Sequence, residues 1–143
     1  MKYKLLLALS VTSALLIGGC SSKSMNETMA KPSAKVQSLI TKHNLEVVDF
    51  KYTKEAIKSG TRNKARALLI DSRPSAKYLK STIPSSINIP DTKFEEYFAQ
   101  IKNLNKNKEL IVFCGGYKCA KSPKVAAMLL KKGFKNVKLY QAG

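Results

Sequence analysis

Short apolar runs punctuate the second two thirds of the chain, and between them the apolar positions fall at helical spacing. Val47-Val48 reads as a short strand, and Thr53-Lys54-Glu55-Ala56-Ile57 as a short helix closed by Gly60. Ala67-Leu68-Leu69-Ile70 is a compact apolar run ending at Asp71, and Ile87-Asn88-Ile89 is a shorter one ending at Pro90. Phe94, Tyr97, Phe98 and Ile101 stand at i, i+3, i+4 and i+7, one face of an amphipathic helix. Asp91 or Thr92 is placed to cap it, and Thr92 with Glu95 makes a capping-box pattern. Leu110-Ile111-Val112-Phe113 is the most apolar strand candidate, Val125 to Leu130 reads as a helix stopped by Gly133, and Val137-Lys138-Leu139-Tyr140 as a last strand. Short apolar strands alternating with helices predict an α/β fold, a small parallel sheet with helices on both faces. In such sheets ligands sit at the carboxyl ends of the strands.

The amino-terminal part has a different plan. Lys2 and Lys4 precede an apolar run from Leu5 that continues to Ile17-Gly18-Gly19-Cys20, the basic, apolar and small-residue regions of a secretory signal. The run is short for a transmembrane helix. Ile17 to Cys20 resembles a bacterial lipobox, which implies cleavage before Cys20 and lipid on its sulfur. Ser21 behind it favours the periplasmic face of the outer membrane if the bacterium has two membranes. Residues 1–19 are thus expected to be a lipoprotein signal peptide, and residues 20–35, rich in Ser, Lys, Asn, Thr and Met without an apolar period, a flexible tether from the lipidated cysteine. Residues 36–143 remain for a single domain, enough for one small core of roughly one hundred residues.

The formal charge is +17, and loss of Lys2 and Lys4 with the signal leaves +15, spread over Lys31 to Lys138. No aromatic ladder, zinc spacing or basic recognition helix accompanies it, so nucleic acid is not the expected partner. A basic surface facing an anionic membrane is, and it also attracts small anions.

The chemistry concentrates in Cys114-Gly115-Gly116-Tyr117-Lys118-Cys119-Ala120-Lys121-Ser122, between the Leu110 strand and the Val125 helix. Ser122 is placed as an N-cap and Pro123 as the first helical residue. The unpaired N–H groups and positive dipole end of that helix favour an anion. Gly115 and Gly116 let the backbone curl into a nest of N–H groups. Cys114, at the bottom of this nest with Lys118 and Lys121 close by, is expected to be a thiolate and a nucleophile; the bland alternative is an inert cysteine at the end of a core strand. Tyr117 is placed to wall the pocket or contact a partner. A phosphate-binding loop is disfavoured because Ala120 stands where a glycine is required. A phosphatase or arsenate reductase would grip its oxyanion with an arginine fork, and Arg62, Arg66 and Arg73 all lie outside the loop. No metal and no cofactor is expected: His43, the only histidine, has no second ligand near it in sequence.

Several segments together resemble the rhodanese family. They are Leu69-Ile70-Asp71-Ser72-Arg73, Tyr78, Ile83-Pro84-Ser85-Ser86-Ile87-Asn88-Ile89-Pro90, Ile111-Val112-Phe113-Cys114, Lys121-Ser122, Ala126-Ala127, Leu130 and Gly133-Phe134-Lys135-Asn136-Val137. The resemblance spans roughly residues 45 to 143. It implies a sulfurtransferase: Cys114 takes sulfane sulfur from a small anionic donor such as thiosulfate or polysulfide, holds it as a persulfide, and passes it to a thiol acceptor. Residues 115 to 122 would cradle the donor, and Asp71 and Arg73 would tie loops together beside the site. The sequence departs from the family pattern in several places. Cys119 stands where most members have an arginine, Thr82 replaces a frequent histidine, and Ser81 and Ser85 replace glycines. The chain stops at Ala142-Gly143, where the family usually continues through a tryptophan and a final helix, so a core face is expected to lie open. Cys119 is either a partner of Cys114 in thiol-disulfide chemistry or a small loop filler. A catalytically silent binding module also stays open, and the chain names no protein partner.

Overall fold

The computed structural model describes residues 30–59 and 61–142. The signal segment, Cys20, most of the tether, Gly60 and Gly143 lie outside the described residues.

Five parallel strands form one sheet in the order β1-β5-β4-β2-β3. They are β1 Glu46–Val48, β2 Ala67–Asp71, β3 Ile87–Asn88, β4 Glu109–Phe113 and β5 Val137–Tyr140. The runs read as strands from the sequence therefore are strands, and all four pairings are parallel. β2 and β4 are buried at every position. Each has a strand on either side and packing on both faces, which is why their sequences are apolar without alternation.

Side chains alternate across the sheet. Leu68, Ile70, Leu110, Val112 and Leu139 turn to one face, where they meet Val125, Ala126 and Leu129 of α5 (Lys121–Lys131) and Phe94 of α4 (Phe94–Phe98). α1 (Ala34–Lys42) covers the same side against α5. Ala67, Leu69, Ile111, Phe113 and Tyr140 turn to the other face, where α2 (Phe50–Ala56) brings Ala56 and Tyr52. The face expected to lie open is buried over β2, β4 and β5. The exposed large apolar side chains among the described residues are Val47 on edge strand β1, Phe50 at the start of α2, and Leu79 on α3 (Ser75–Lys80).

Helix boundaries differ from the sequence reading for local reasons. α1 takes in Ala34 and Lys35, at the end of the segment read as tether, because the Ser33 hydroxyl accepts the Val36 N–H at 3.4 Å. α2 starts at Phe50, before Thr53, because the Asp49 carboxylate accepts the Tyr52 N–H at 2.7 Å. Neither Asp91 nor Thr92 caps α4. Pro90 leads into a 3-10 turn over Asp91–Lys93, so Thr92 is already inside a helical turn and lacks the extended backbone of an N-cap. α4 then opens at Phe94, with Lys93 at the cap position and no side-chain cap.

Candidate functional site

The register of the sheet fixes where the loop leaves it. Phe113, the last residue of β4, is level with Asp71 at the end of β2 and Tyr140 at the end of β5. Cys114 follows at the carboxyl edge, between these two strand ends, and is 2 % exposed. Its sulfur is paired with that of Cys119 as a disulfide, with the two Cα atoms 6.3 Å apart. The same sulfur lies 3.1 Å from the Ser122 hydroxyl and 3.3 Å from the Cys119 carbonyl oxygen.

Two expectations about the loop need correction. Ser122 does not cap α5: the helix begins at Lys121, Ala120 occupies the cap position without a side-chain bond, and Pro123 is the third helical residue. One residue inside the helix, the Ser122 side chain turns to the Cys114 sulfur instead, where its hydroxyl can donate to a thiolate. The two glycines are also unequal. Gly116 has φ +115, a conformation L side chains rarely adopt, whereas Gly115 has no positive φ, and a Cβ at either position would meet nothing within 4 Å. The turn made at Gly116 brings its carbonyl to the Cys119 N–H at 3.0 Å. That N–H is therefore engaged within the loop and is not part of an open nest.

The Cys114 sulfur thus rests against the first turn of α5. N–H groups of a first helical turn have no partner within the helix, and the dipole there is positive. Both favour negative charge beside Ser122. Lys118 is exposed and Lys121 half-buried. Among the described residues neither is ion-paired, which leaves both charges available to an anion.

The neighbouring strand end is a polar scaffold. Asp71 is fully buried. Its carboxylate accepts from the Arg73 backbone N–H at 3.0 Å, from the Arg73 guanidinium at 2.6 Å and from the Thr82 hydroxyl at 2.8 Å. The hydrogen bond to Asp71 raises the Arg73 guanidinium above the usual arginine range, against the lowering effect of burial. Arg73 also donates to the Ser81 carbonyl at 2.6 Å, closing the segment between α3 and β3 onto the end of β2. Asn88 donates to the carbonyls of Asp71 and Arg73, at 2.9 and 2.8 Å. Thr82, noted in the sequence only as a replaced histidine, has a defined place as an Asp71 donor.

Ser72 is the supporting residue that sequence reasoning missed. Its N–H and its hydroxyl both donate to the carbonyl of Phe113, the residue before Cys114, at 2.9 and 2.8 Å. The available signal was a hydroxyl residue directly after a wholly apolar strand, where it must find a partner once buried.

Tyr117 walls a groove of about 350 Å³ beside the loop, together with Val48, Phe50, Tyr140 and Gln141. Tyr140 is held protonated above the usual tyrosine range by burial, with Tyr117 and Asp49 adding to the effect. A cavity of about 350 Å³ bounded by Arg62, Leu68, Ile87 and Lys108 lies at the amino ends of the strands, remote from Cys114. Among the described residues no group of three or more His, Cys, Asp or Glu side chains could hold a metal ion.

A five-stranded parallel α/β domain, with a buried cysteine where its central strand meets a helix, defines the class. Within that class the chain belongs to the rhodanese-like family: the family model described as "Rhodanese-like domain" matches residues 34–143. No curated protein matches it. Among solved structures, the BH2092 protein of Bacillus halodurans is 28% identical with a TM-score of 0.59, over 75% of this chain and 74% of that one. The human single-domain sulfurtransferase TSTD1 is 21% identical with a TM-score of 0.55, over 68% of this chain and 89% of that one. The Saccharomyces cerevisiae single-domain sulfurtransferase RDL2 is 18% identical with a TM-score of 0.54, over 69% and 85%. The last two share the fold.

Proposed function

We propose that the protein is an exported, lipid-anchored sulfurtransferase in which Cys114 carries sulfane sulfur. The observation that carries this reading is the position of the Cys114 sulfur, buried against the first turn of α5 with the Ser122 hydroxyl at 3.1 Å. With the Cys114–Cys119 pair reduced, the Cys114 thiolate attacks the outer sulfur of thiosulfate. The bond between the two thiosulfate sulfurs breaks and sulfite leaves with the electron pair. The resulting persulfide is again an anion, and the helix terminus and Ser122 stabilise it without a general base. An acceptor thiolate then takes the outer sulfur and returns Cys114 to the thiolate. Lys118 and Lys121 draw in the anionic donor, and the Tyr117 groove offers an apolar surface to the acceptor. Asp71 and Arg73 hold the adjoining loops. The lipobox-like Ile17 to Cys20 and the net positive charge support an address in the cell envelope, at an anionic membrane surface.

The test is the intact mass of the reduced full chain carrying Cys119→Ser, which leaves no second thiol in the loop, after treatment with thiosulfate or polysulfide, compared with Cys114→Ser. One added sulfur that requires Cys114 and leaves when a thiol is supplied is the expected result. A folded Cys119→Ser chain that takes up no sulfur and yields no sulfite overturns the reading and points to a binding module.

A further inference from the structure

We infer that Cys119 is a second reacting residue, which attacks the Cys114 persulfide and expels the sulfane sulfur as sulfide. The inference rests on the persulfide reading above and adds an outcome that needs no acceptor thiol.

The loop is built around this contact. Cys119 is five residues from Cys114, and its sulfur is bonded to that of Cys114. The Cα separation of 6.3 Å falls within the range that a disulfide spans without moving the backbone. The N–H of residue 119 is held on the Gly116 carbonyl at 3.0 Å, and its carbonyl oxygen lies 3.3 Å from the Cys114 sulfur. Gly116 at φ +115 supplies the reversal that makes this possible. Cys114 is buried whereas Cys119 is half-exposed, so Cys119 is the member of the pair that an outside thiol reaches first.

Sulfur pairs with sulfur here, and that selects the point of attack. The Cys119 thiolate attacks Sγ of Cys114, the inner sulfur of the persulfide. A Cys114–Cys119 bond forms, the bond from Cys114 Sγ to the outer sulfur breaks, and the outer sulfur departs with the electron pair and takes up the proton that the Cys119 thiol gave up, leaving as hydrosulfide. The sulfane sulfur gains two electrons and the two cysteine sulfurs together lose two, so no outside oxidant is required. The protein is left in the paired state, in which Cys114 cannot load. An external dithiol resets it by thiol-disulfide exchange and is itself oxidised to a disulfide. Over one cycle thiosulfate and a dithiol give sulfite, hydrogen sulfide and the oxidised dithiol. Supply of a dithiol reductant therefore governs turnover.

The experiment uses the full chain, reduced and freed of reductant, with one equivalent of thiosulfate and no acceptor thiol. Sulfite, sulfide and intact protein mass are followed in the wild type, Cys119→Ser, Cys119→Ala and Cys114→Ser. Expected in the wild type are sulfite and sulfide in equal amounts and a protein lighter by two hydrogens. Both Cys119 variants are expected to yield sulfite equally, to keep one added sulfur, and to release sulfide only when a thiol is added. Their sulfur uptake also reports that they are folded. Sulfide release that is unchanged in the Cys119 variants overturns the inference. A wild type that keeps its added sulfur also does so, including the case in which peptide mapping finds the sulfur on Cys119. If no protein takes up sulfur or yields sulfite, the persulfide reading falls and this inference falls with it, a result distinct from uptake without sulfide release.

Discussion

Ser72 fixes the carbonyl of Phe113 with two donors, its own N–H at 2.9 Å and its hydroxyl at 2.8 Å. The first bond belongs to the backbone and survives any substitution that keeps the chain's path. The second depends on the side chain and is buried. Removing it leaves the Phe113 oxygen one partner, so Ser72→Ala is expected to cost about 1 kcal/mol, read as a lower urea midpoint. Because Phe113 immediately precedes Cys114, the rate of sulfur uptake is expected to fall as well, while the amount taken up at completion stays the same.

The Asp71–Arg73 pair carries a larger penalty. Arg73→Met would leave the Asp71 carboxylate, fully buried, with only the Thr82 hydroxyl and one backbone N–H. An uncompensated buried charge of this kind costs about 3 kcal/mol. Chemical denaturation is the measurement, and the double variant Asp71→Asn, Arg73→Met is expected to recover part of the loss.

These two cases mark what could be read from the sequence. β2 and β4 were legible because both of their faces are buried, which leaves an unbroken apolar run, and Cys114 was placed by the strand that ends before it. α3 was not legible because none of its residues is buried, and α1 buries only Val36, so neither leaves an apolar period. The residue type of Ser122 fits a helix cap, and only the backbone shows that the helix begins two residues earlier than such a cap would place it. Ser72 and Asn88 act on carbonyls of other segments, and spacing along the chain carries no trace of such pairings.

Ser85 has φ +67, where a Cβ is unfavourable, while the nearby Ser81 is extended at φ −168. Of the two serines in place of glycines, only Ser85 is at a position that favours glycine. Ser85→Gly relieves a backbone strain of about 1 kcal/mol that Ser81→Gly does not share, so Ser85→Gly is expected to be the more stable of the two variants. The Arg62 guanidinium, which donates to the Ser85 and Ser86 carbonyls at 3.2 and 2.9 Å, keeps the backbone in place in either variant. Thermal melts of the two variants separate these outcomes.

The loop glycines make a matched pair for a second comparison. Gly116→Ala forces a side chain onto φ +115 and is expected to cost about 2 kcal/mol, with impaired closure of Cys119 onto Cys114. Gly115→Ala enters open space without a positive φ and is expected to leave the melting temperature unchanged. Denaturation together with the rate of disulfide formation in an oxidising buffer reads both effects.

Tyr140 gives a pH dependence. Burial, Tyr117 and Asp49 hold its proton in the folded state above the usual tyrosine range. The unfolded chain therefore releases that proton first, at about pH 10. The stabilisation linked to this proton is complete below that pH and is lost as pH rises through the folded value. Tyr140→Phe is expected to flatten the alkaline fall of the urea midpoint without changing it at neutral pH.

The strand order has a consequence for how the chain acquires its structure. β5, the latest strand in the sequence, lies between β1 and β4, and Val47 and Val48 pair only with Leu139 and Tyr140. A nascent polypeptide that has emerged as far as α5 can assemble β2, β3 and β4, yet its first strand has nowhere to attach. Closure waits for some ninety residues of intervening chain, a separation that slows folding. Any product cut short before Val137 would carry the Cys114 loop on a sheet that cannot seat β1.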